Sequence, residues 1–170
     1  MKYELKEISL DMGKLEYEMY QEIPSKESGS VNLCHGLPFE VFPNYLETLI
    51  NNKHSKVNYY GTPTITYMFY VNDFPVGYAC IRTELDKNWE KWSGNIYYVV
   101  RPSERKKGYG TKMFELALME CKKLGFDEIL AQSSEGNESS AKIIEKNNGI
   151  LLKEDGTKYY KIILKQCEFR

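Results

Sequence analysis

The chain has 170 residues, of which 42% are apolar and 28% charged, and its formal net charge is −1. This length favours one domain spanning residues 1–170, with enough apolar side chains for a substantial core. The near-neutral charge argues against general binding to nucleic acid or membranes, and we expect a cytoplasmic protein because no signal-like segment or apolar run of roughly 18 residues is visible.

The first third of the chain carries weak patterns. Residues 3–10 alternate between apolar and polar side chains and predict a strand. Asp11 can cap a helix that runs to about Gln21, since a carboxylate before the first turn accepts a helix N–H bond. Residues 24–36 are expected to form a polar loop, and a second helix is predicted from Pro43 to about residue 52.

The middle of the chain predicts three strands and a long helix. Residues 64–71 and 76–82 are rich in β-branched and aromatic side chains and predict a hairpin around a short polar turn. Residues 95–100 predict a third strand. Residues 111–124 place apolar side chains at i, i+3 and i+4 spacing, which predicts an amphipathic helix that Gly125 ends.

The last third continues the alternation of strands and helices. Residues 128–133 predict a strand, and Asn137 can cap a short helix that ends near Asn147. Residues 150–153 and 159–164 predict a terminal hairpin. This mixed order indicates an α/β (α+β) fold, in which helices cover the faces of a sheet.

A basic, glycine-rich turn separates the strand at 95–100 from the helix at 111–124. It reads Arg-Lys-Lys-Gly-Tyr-Gly at residues 105–110, and residues 101–112 carry five cations and one anion. Backbone N–H groups at a helix start are unpaired and partly positive, and glycine lets that backbone approach a ligand closely. The turn therefore predicts a site for a small anionic ligand such as a phosphate.

Two common phosphate-binding motifs fit this turn poorly. The dinucleotide-binding fingerprint has a third glycine where this chain has the bulky Met113. A Walker A loop has Lys and then Ser or Thr after its last glycine, whereas Gly110 is followed by Thr111 and Lys112. Neither motif is therefore predicted.

Residues 95–149 resemble the GCN5-related N-acetyltransferase (GNAT) family. The family signature, Arg/Gln-x-x-Gly-x-Gly/Ala between a strand and a helix, is matched in full by residues 105–110. A second family segment begins with Asn, opens a short helix and ends in Gly, as residues 137–149 do. Residues 100–105 also resemble a bacterial branch of predicted acetyltransferases.

The resemblance implies a particular form of the mixed fold. A mainly antiparallel central sheet of six to seven strands is expected, flanked by about four helices. In the family, two neighbouring strands splay apart to admit the thioester, and here they are the strands at 95–100 and 128–133.

The resemblance also implies acetyl-CoA as a co-substrate, with no metal. The turn before the long helix would hold the CoA pyrophosphate, and the end of the strand at 95–100 would hold the pantetheine arm. Lys142 is a further candidate for contacting a CoA phosphate. The residues expected to bind the cofactor are Tyr98, Val99, Val100, Arg105, Lys106, Lys107, Gly108, Tyr109, Gly110, Thr111, Ser133, Asn137 and Ser140.

The groups that move protons are less clearly indicated. Many family members place a general-acid tyrosine seven residues after the Asn of the second motif, where this chain has Ile144. The candidate substitutes are Tyr97, Tyr98, Tyr159 and Tyr160, although each can equally be a packed tyrosine. A thiol with a pKa near 8.5 can also leave without a general acid. For the general base, Glu84 and Asp86 are candidates near the expected acceptor side, and either can equally be a solvated loop carboxylate.

Three functions remain open at this point. The first is N-acetylation of a small-molecule or peptide amine by direct attack in a ternary complex. The second is a non-catalytic acyl-CoA-binding module, which the departure at Ile144 motivates. The third is a nucleotide-binding or nucleic-acid-binding domain that uses the basic turn. The oligomeric state is also open, and a homodimer is one alternative.

Overall fold

The structure is a computed structural model that describes residues 1–55, 61–85, 87 and 94–169. Its strands are β1 (Tyr3–Glu7), β2 (Lys26–Glu27), β3 (Ser30–Val31), β4 (Thr64–Val71), β5 (Phe74–Arg82), β6 (Ile96–Val100), β7 (Glu128–Ser133), β8 (Ile150–Glu154) and β9 (Lys158–Ile163). Its α-helices are α1 (Lys14–Glu22), α2 (Phe42–Asn51), α3 (Tyr109–Lys123) and α4 (Glu138–Lys146).

The strands form two antiparallel sheets and one small hairpin. The first sheet has the order β1-β4-β5-β6, the second has the order β7-β9-β8, and β2 pairs with β3. In the described part of the chain the two sheets together contain seven strands, and four α-helices accompany them. The predicted fold class is therefore confirmed.

Helices cover both faces of the first sheet, with β4 and β5 at its centre. Successive side chains of a strand point to opposite faces. Phe69 accordingly lies in a core cluster with α3, whereas Met68 lies in a second cluster with α1 and α2. Every residue of β4 is buried, because both faces of this strand are covered by apolar side chains.

Among the described residues, the two sheets meet at Gly94 and Asn95 and then separate. Gly94 forms an isolated bridge with Ala131, and the Asn95 N–H donates to the Leu130 carbonyl at 2.8 Å. The Leu130 N–H donates to the side-chain Oδ1 of Asn95, also at 2.8 Å, so a side chain replaces the next backbone acceptor. A Cβ on Gly94 would lie 2.3 Å from the Leu130 oxygen, which explains the glycine at this contact. The predicted splay between the two strands is confirmed.

Some predicted boundaries need correction. The prediction of Asp11 as a helix cap is wrong, because α1 starts at Lys14 with Gly13 as its N-cap. The Asp11 carboxylate instead accepts a hydrogen bond from the Ser9 hydroxyl, and the Gly13 N–H donates to Glu16 at 2.8 Å. The local acceptor for the helix start is thus a side chain inside the first turn.

Two further differences bear on the site. Helix α3 starts at Tyr109, two residues before the predicted start, because Gly108 caps it in the left-handed conformation with φ of 80°. The predicted polar loop at 24–36 contains the β2–β3 hairpin. No helix among the described residues is long and apolar enough to cross a membrane.

Candidate active site

A cavity of about 480 Å³ opens where β6 and β7 separate. Its walls are the length of β6, the loop that follows it, the first turn of α3, residues at the end of β7, the cavity-facing side of α4, and the β2–β3 hairpin. The predicted basic turn and the predicted Asn-containing helix therefore border one space, although about 30 residues of sequence separate them.

The loop before α3 has the shape of an anion site. Lys106 and Gly108 both adopt left-handed backbone conformations, with φ of 61° and 80°. Consecutive N–H groups in such a turn point to one side and form a concave donor surface. The N–H groups of Tyr109, Gly110 and Thr111 add to it, since the first turn of a helix has no intrahelical acceptors for them. The loop therefore offers backbone donors and the positive end of a helix dipole to the cavity.

Gly110 brings α3 and α4 into close contact beside this loop. A Cβ at Gly110 would lie 2.9 Å from the Cδ1 atom of Ile143. The Asn147 side-chain amide also donates to the Thr111 carbonyl at 3.3 Å. These contacts place α4 alongside the loop, and Lys142 accordingly lines the same cavity.

Arg105, the first residue of the signature, is engaged by other parts of the protein. Its Nε donates to the Val100 carbonyl at 2.9 Å, and its two terminal nitrogens donate to the carboxylate of Glu27 at 2.7 and 2.5 Å. The hydrogen bond from Arg105 lowers the pKa of Glu27, and it outweighs the opposite effect of burial. Arg105 thus fastens the β2–β3 hairpin to the loop.

A second ion pair ties α1 to the same loop. Arg101 donates through Nε to Glu22 at 2.5 Å, and the Ser103 N–H donates to the other oxygen of that carboxylate at 2.5 Å. Burial alone would raise the pKa of Glu22, but the hydrogen bonds from Ser103 and Arg101 together lower it. Glu22 at the end of α1 and Glu27 in the β2–β3 hairpin are therefore both bound to the segment between β6 and α3. These two ion pairs hold the hairpin against the cavity.

The start of α4 forms the opposite wall. The Ser140 N–H donates to Oδ1 of Asn137 at 3.1 Å, which confirms Asn137 as the helix cap. The Ser133 hydroxyl donates to the Asn137 carbonyl at 2.6 Å. The hydroxyls of Tyr98 and Ser140 lie 3.1 Å apart and so bridge β6 and α4. Burial raises the pKa of Tyr98 to about 12, against the lowering effect of the Ser140 hydrogen bond.

Tyr97 lines the cavity from the other face of β6. Its hydroxyl lies 3.3 Å from that of Tyr78 on the neighbouring strand. Burial raises the pKa of Tyr97, although hydrogen bonds from Tyr78 and Ser30 oppose this effect. Both cavity tyrosines are therefore protonated at neutral pH and are able to donate a hydrogen bond.

Most of the predicted cofactor-binding residues line this cavity. The exceptions are Lys107, whose ammonium is 2.8 Å from Glu104, and Ser133, which is buried behind Asn137. The predicted residues that line the cavity are Tyr98, Val99, Val100, Arg105, Lys106, Gly108, Tyr109, Gly110, Thr111, Asn137 and Ser140.

The structure places the predicted catalytic residues in different parts of the molecule. Tyr97 lines the cavity, whereas Tyr160 and Glu84 do not. Tyr160 is fully buried in β9 and its hydroxyl donates to Glu145 at 2.9 Å. Glu84 is exposed just after β5, where its carbonyl accepts a hydrogen bond from Thr62 at 2.6 Å. Asp86 lies outside the described residues.

Several cavity residues were missed from the sequence. Glu27, Ser28 and Ser30 belong to a hairpin without a motif, and Glu27 meets Arg105 across 78 residues of sequence. Gln132 could have been predicted from the sequence, because strict alternation along β7 places it on the face opposite the buried side chains. Its Oε1 atom is buried and lacks a hydrogen-bond partner among the described residues.

The sequence of the chain as a whole identifies its family. A sequence profile of the acetyltransferase (GNAT) family matches residues 33–150, well over half of the chain. The chain belongs to the GNAT family. This confirms the predicted family, and with it the expectation of an acetyltransferase that uses acetyl-CoA. No curated protein sequence matches this GNAT chain significantly.

Solved structures agree on the fold of this GNAT protein. The ribosomal L7/L12 α-N-protein acetyltransferase RimL, in complex with CoA, is 12% identical with a TM-score of 0.70, and the match covers 96% of this chain and 94% of RimL. Campylobacter jejuni N-acetyltransferase PseH with acetyl-CoA is 14% identical (TM-score 0.60, coverage 95% and 99%). An N-acetyltransferase from Staphylococcus aureus Mu50 is 17% identical (TM-score 0.61, coverage 96% and 99%). At these identities the likeness establishes the fold.

Proposed function

We propose that residues 1–170 act as one domain that transfers the acetyl group of acetyl-CoA to an amine by direct attack in a ternary complex. The observation that carries this proposal is the left-handed loop at Lys106 and Gly108, which borders the cavity between two separated strands. Such a loop suits a diphosphate, and such a gap suits an extended chain with amide groups along it.

The loop is the proposed site of the CoA pyrophosphate. The N–H groups of Gly108, Tyr109, Gly110 and Thr111 supply donors, and the helix dipole favours the negative charge. Because the guanidinium of Arg105 is held by Glu27, we assign binding to the backbone rather than to that side chain.

The gap between β6 and β7 is the proposed site of the pantetheine arm. Since β6 is an edge strand of its sheet, backbone groups at 98–100 are suited to pair with an extended ligand. The buried Oε1 of Gln132 supplies an acceptor for an amide N–H. Asn137 and Ser140 would contact the arm from α4, and Ser133 would act by holding Asn137 in place.

The reaction forms a carbon–nitrogen bond and breaks the carbon–sulfur bond; the nitrogen loses two protons, one before attack and one as the amide forms, and the sulfur takes up one. The amine nitrogen attacks the acetyl carbonyl carbon, and the carbon–sulfur bond breaks. An amine with a pKa near 10.4 is mostly charged at neutral pH, so it must lose a proton before attack. Positioning both reactants in one cavity supplies much of the acceleration, and N–H donors facing the carbonyl oxygen stabilise its developing charge.

Two tyrosines are candidates for the general acid that protonates the leaving sulfur. Tyr97 and Tyr98 both line the cavity, and burial keeps both protonated at neutral pH. We assign Tyr160 to stability instead, because it is fully buried, does not line the cavity and donates its hydroxyl to Glu145. Glu84 remains a candidate base that would act through a water molecule, since its exposed position lies outside the cavity wall.

An acyl-CoA-binding module without catalysis is the second candidate. Ile144 occupies the position where many family members have an acid tyrosine, and it is 1% exposed in the core. Its side chain is therefore unable to donate a proton in the cavity, which favours the non-catalytic alternative unless a cavity tyrosine serves as the acid.

One experiment separates the two functions. Release of CoA thiol from acetyl-CoA is measured with a panel of small amines, polyamines and peptides, and initial rates are measured against both substrates. We expect release with at least one amine and intersecting double-reciprocal lines, as a ternary complex requires. Tight acetyl-CoA binding without turnover on any acceptor would favour the binding module. Parallel lines would contradict direct transfer.

The identity of the acceptor amine and the oligomeric state of the protein stay predictions. RimL and its relatives are named for acetylating a ribosomal protein, and a peptide or small-molecule amine is proposed here on the family's chemistry.

A homodimer is proposed because edge strand β8 exposes Ile150, Leu151 and Leu152, each 46–50% accessible. Light scattering across a concentration series would detect it, and a monomer at all concentrations would contradict it.

A further inference from the structure

Tyr78 and Tyr97 lie on neighbouring strands and face the same side of the first sheet. In the register of β5 and β6, Tyr97 is opposite Cys80, so Tyr78 is its diagonal neighbour on that face. The two rings meet edge to face with their centroids 6.0 Å apart, and the hydroxyl oxygens are 3.3 Å apart. Tyr97 lines the cavity, whereas Tyr78 is 3% exposed and does not. The Tyr78 hydroxyl thus reaches that of Tyr97 from inside the protein.

The hydroxyl of Tyr78 lies in apolar surroundings. Tyr78 belongs to the core cluster between the first sheet and helices α1 and α2, and its ring centroid is 5.1 Å from that of Tyr20 on α1. A phenylalanine would fill nearly the same volume without the cost of burying a hydroxyl. Because the hydrogen bond to Tyr97 compensates this cost, the hydroxyl at position 78 points to a role at the oxygen of Tyr97.

The two hydroxyls lie near one positive charge. The titratable and charged side chains that face the pair from α1, α2 and β5 are Tyr20, Tyr45, Cys80 and Arg82. Of these, Arg82 is the one whose ordinary pKa makes it charged at neutral pH. Its central guanidinium carbon is 5.9 Å from the centroid of the Tyr97 ring. A positive charge in this place favours the phenolate form of Tyr97.

A tyrosine that protonates a thiolate has to give up its proton against its own basicity. An ordinary tyrosine has a pKa of about 10 and an ordinary thiol one near 8.5, so the proton favours the tyrosine by roughly thirtyfold. Burial raises the pKa of Tyr97 and adds to this preference. A neighbouring group that donates a hydrogen bond to the phenolate reduces it, because hydrogen bonds to charged acceptors are stronger than those to neutral ones.

We infer that Tyr78 is a positioning residue for acetyl transfer, whose hydroxyl donates to the Tyr97 oxygen and stabilises the phenolate formed when Tyr97 protonates the leaving sulfur. The inference rests on the proposed function with Tyr97 as the general acid. In this step the O–H bond of Tyr97 breaks, an S–H bond forms, and the electron pair of the broken bond stays on the Tyr97 oxygen. The proton that the nitrogen releases as the amide forms, carried by water, restores Tyr97.

The first test measures the pKa of the side chain at position 97 without turnover. Tyr97 is replaced by 3,5-difluorotyrosine, whose lower pKa lets fluorine NMR follow its titration before alkali unfolds the protein. Removing the donor by Tyr78→Phe should raise this pKa by about one, since the phenolate loses a hydrogen bond. Tyr70→Phe is the matched control, because Tyr70 lies in the same core cluster and donates its hydroxyl to Glu16 at 2.7 Å. It should leave the pKa at position 97 unchanged.

The second test measures steady-state rates with an amine that the wild type acetylates. We expect Tyr78→Phe to lower kcat about fivefold and to leave the KM for acetyl-CoA within about twofold, and Tyr70→Phe to leave both within about twofold. Because Tyr78 acts through Tyr97, the double variant Tyr78→Phe/Tyr97→Phe should be no slower than Tyr97→Phe alone.

The outcomes separate this inference from the function on which it rests. With a transferase that is active, an unchanged pKa at position 97 or a wild-type kcat in Tyr78→Phe would overturn the role of Tyr78. A further loss of rate in the double variant, or equal effects of Tyr70→Phe, would overturn it as well, since either result would indicate a general disturbance of the core. If the wild type releases no CoA thiol with any amine, the proposed function itself fails, and the inference fails with it.

Discussion

Arg105 and Glu27 form a bidentate ion pair across 78 residues of sequence, with nitrogen–oxygen distances of 2.7 and 2.5 Å. The pair fastens the β2–β3 hairpin to the loop that begins α3. Arg105 is the first residue of the family signature, and in this chain its side chain therefore shapes the cavity wall.

Replacing Glu27 by Gln should destabilise the protein in a pH-dependent way. Because Arg105 lowers the pKa of Glu27 in the folded state, the stabilisation is full above the unfolded-state carboxyl pKa and is lost as the pH falls through the folded-state pKa. We expect Glu27→Gln to lower the free energy of unfolding by about 1 kcal/mol at pH 7. Denaturant unfolding at several pH values measures this, and the difference should shrink as the pH falls below the unfolded-state carboxyl pKa of about 4.3 and vanish once the pH is below the folded-state pKa.

Glu104→Gln is the matched control for this variant. Glu104 also lines the cavity, but its partner Lys107 is an exposed side chain on the same loop. Its replacement should change stability less than Glu27→Gln does. Equal effects of the two variants, or a Glu27→Gln effect that persists in acid, would contradict a structural role for the Arg105 pair.

Gly108 allows charge and shape to be tested separately in the anion site. Its φ of 80° is tolerated by Asn and Asp better than by other side chains, and a Cβ there meets nothing within 4 Å. We expect Gly108→Asn to reduce CoA affinity by less than about fivefold and Gly108→Asp by at least tenfold more, because the carboxylate repels the diphosphate. Calorimetric titration of both variants measures the difference, and equal affinities would rule out a phosphate at this loop.

Two tyrosine variants should separate catalysis from stability. Tyr97→Phe removes a hydroxyl that lines the cavity, and we expect kcat to fall at least tenfold if this residue protonates the leaving thiolate. Tyr160→Phe removes the hydrogen bond to Glu145, which should lower the free energy of unfolding by about 1 kcal/mol and leave kcat within twofold. A wild-type kcat in Tyr97→Phe would exclude Tyr97 as the donor.

Replacing Ile144 by the tyrosine that is common in the family should not supply a general acid. Ile144 is 1% exposed, and a Cβ on Gly149 would lie 2.5 Å from its Cγ2 atom, so the site has no room for a ring. We expect Ile144→Tyr to destabilise the protein by about 1–3 kcal/mol without raising kcat, while Ile144→Leu costs less. Thermal unfolding and steady-state rates measure this, and a stable Ile144→Tyr variant with a higher kcat would show that the tyrosine does reach the reacting groups.

The sequence predicted the elements that local patterns control. β4 and β7 were predicted with their observed bounds, because alternation and turn residues mark their ends. The site depended on local motifs as well, since the loop before α3 and the Asn137 cap each lie within a few consecutive residues. The family resemblance then linked these two segments.

Features that depend on distant contacts were not predictable from local patterns. The β2–β3 hairpin has two residues in each strand, and its position depends on Glu27 meeting Arg105. The start of α1 depends instead on nearby side chains, because Ser9 donates to Asp11 and the Gly13 N–H donates to Glu16. The Oε1 of Gln132, which has no hydrogen-bond partner among the described residues, becomes visible only when the strands around it are in place.

The most direct test of the account follows the amide protons of Gly108, Tyr109, Gly110 and Thr111 by NMR while CoA is added. If these N–H groups hold the diphosphate, their resonances should move downfield and saturate together as the ligand binds, and inorganic pyrophosphate should move the same resonances in the same direction. Binding of CoA that leaves these four resonances unchanged, or no binding at all, would contradict the account.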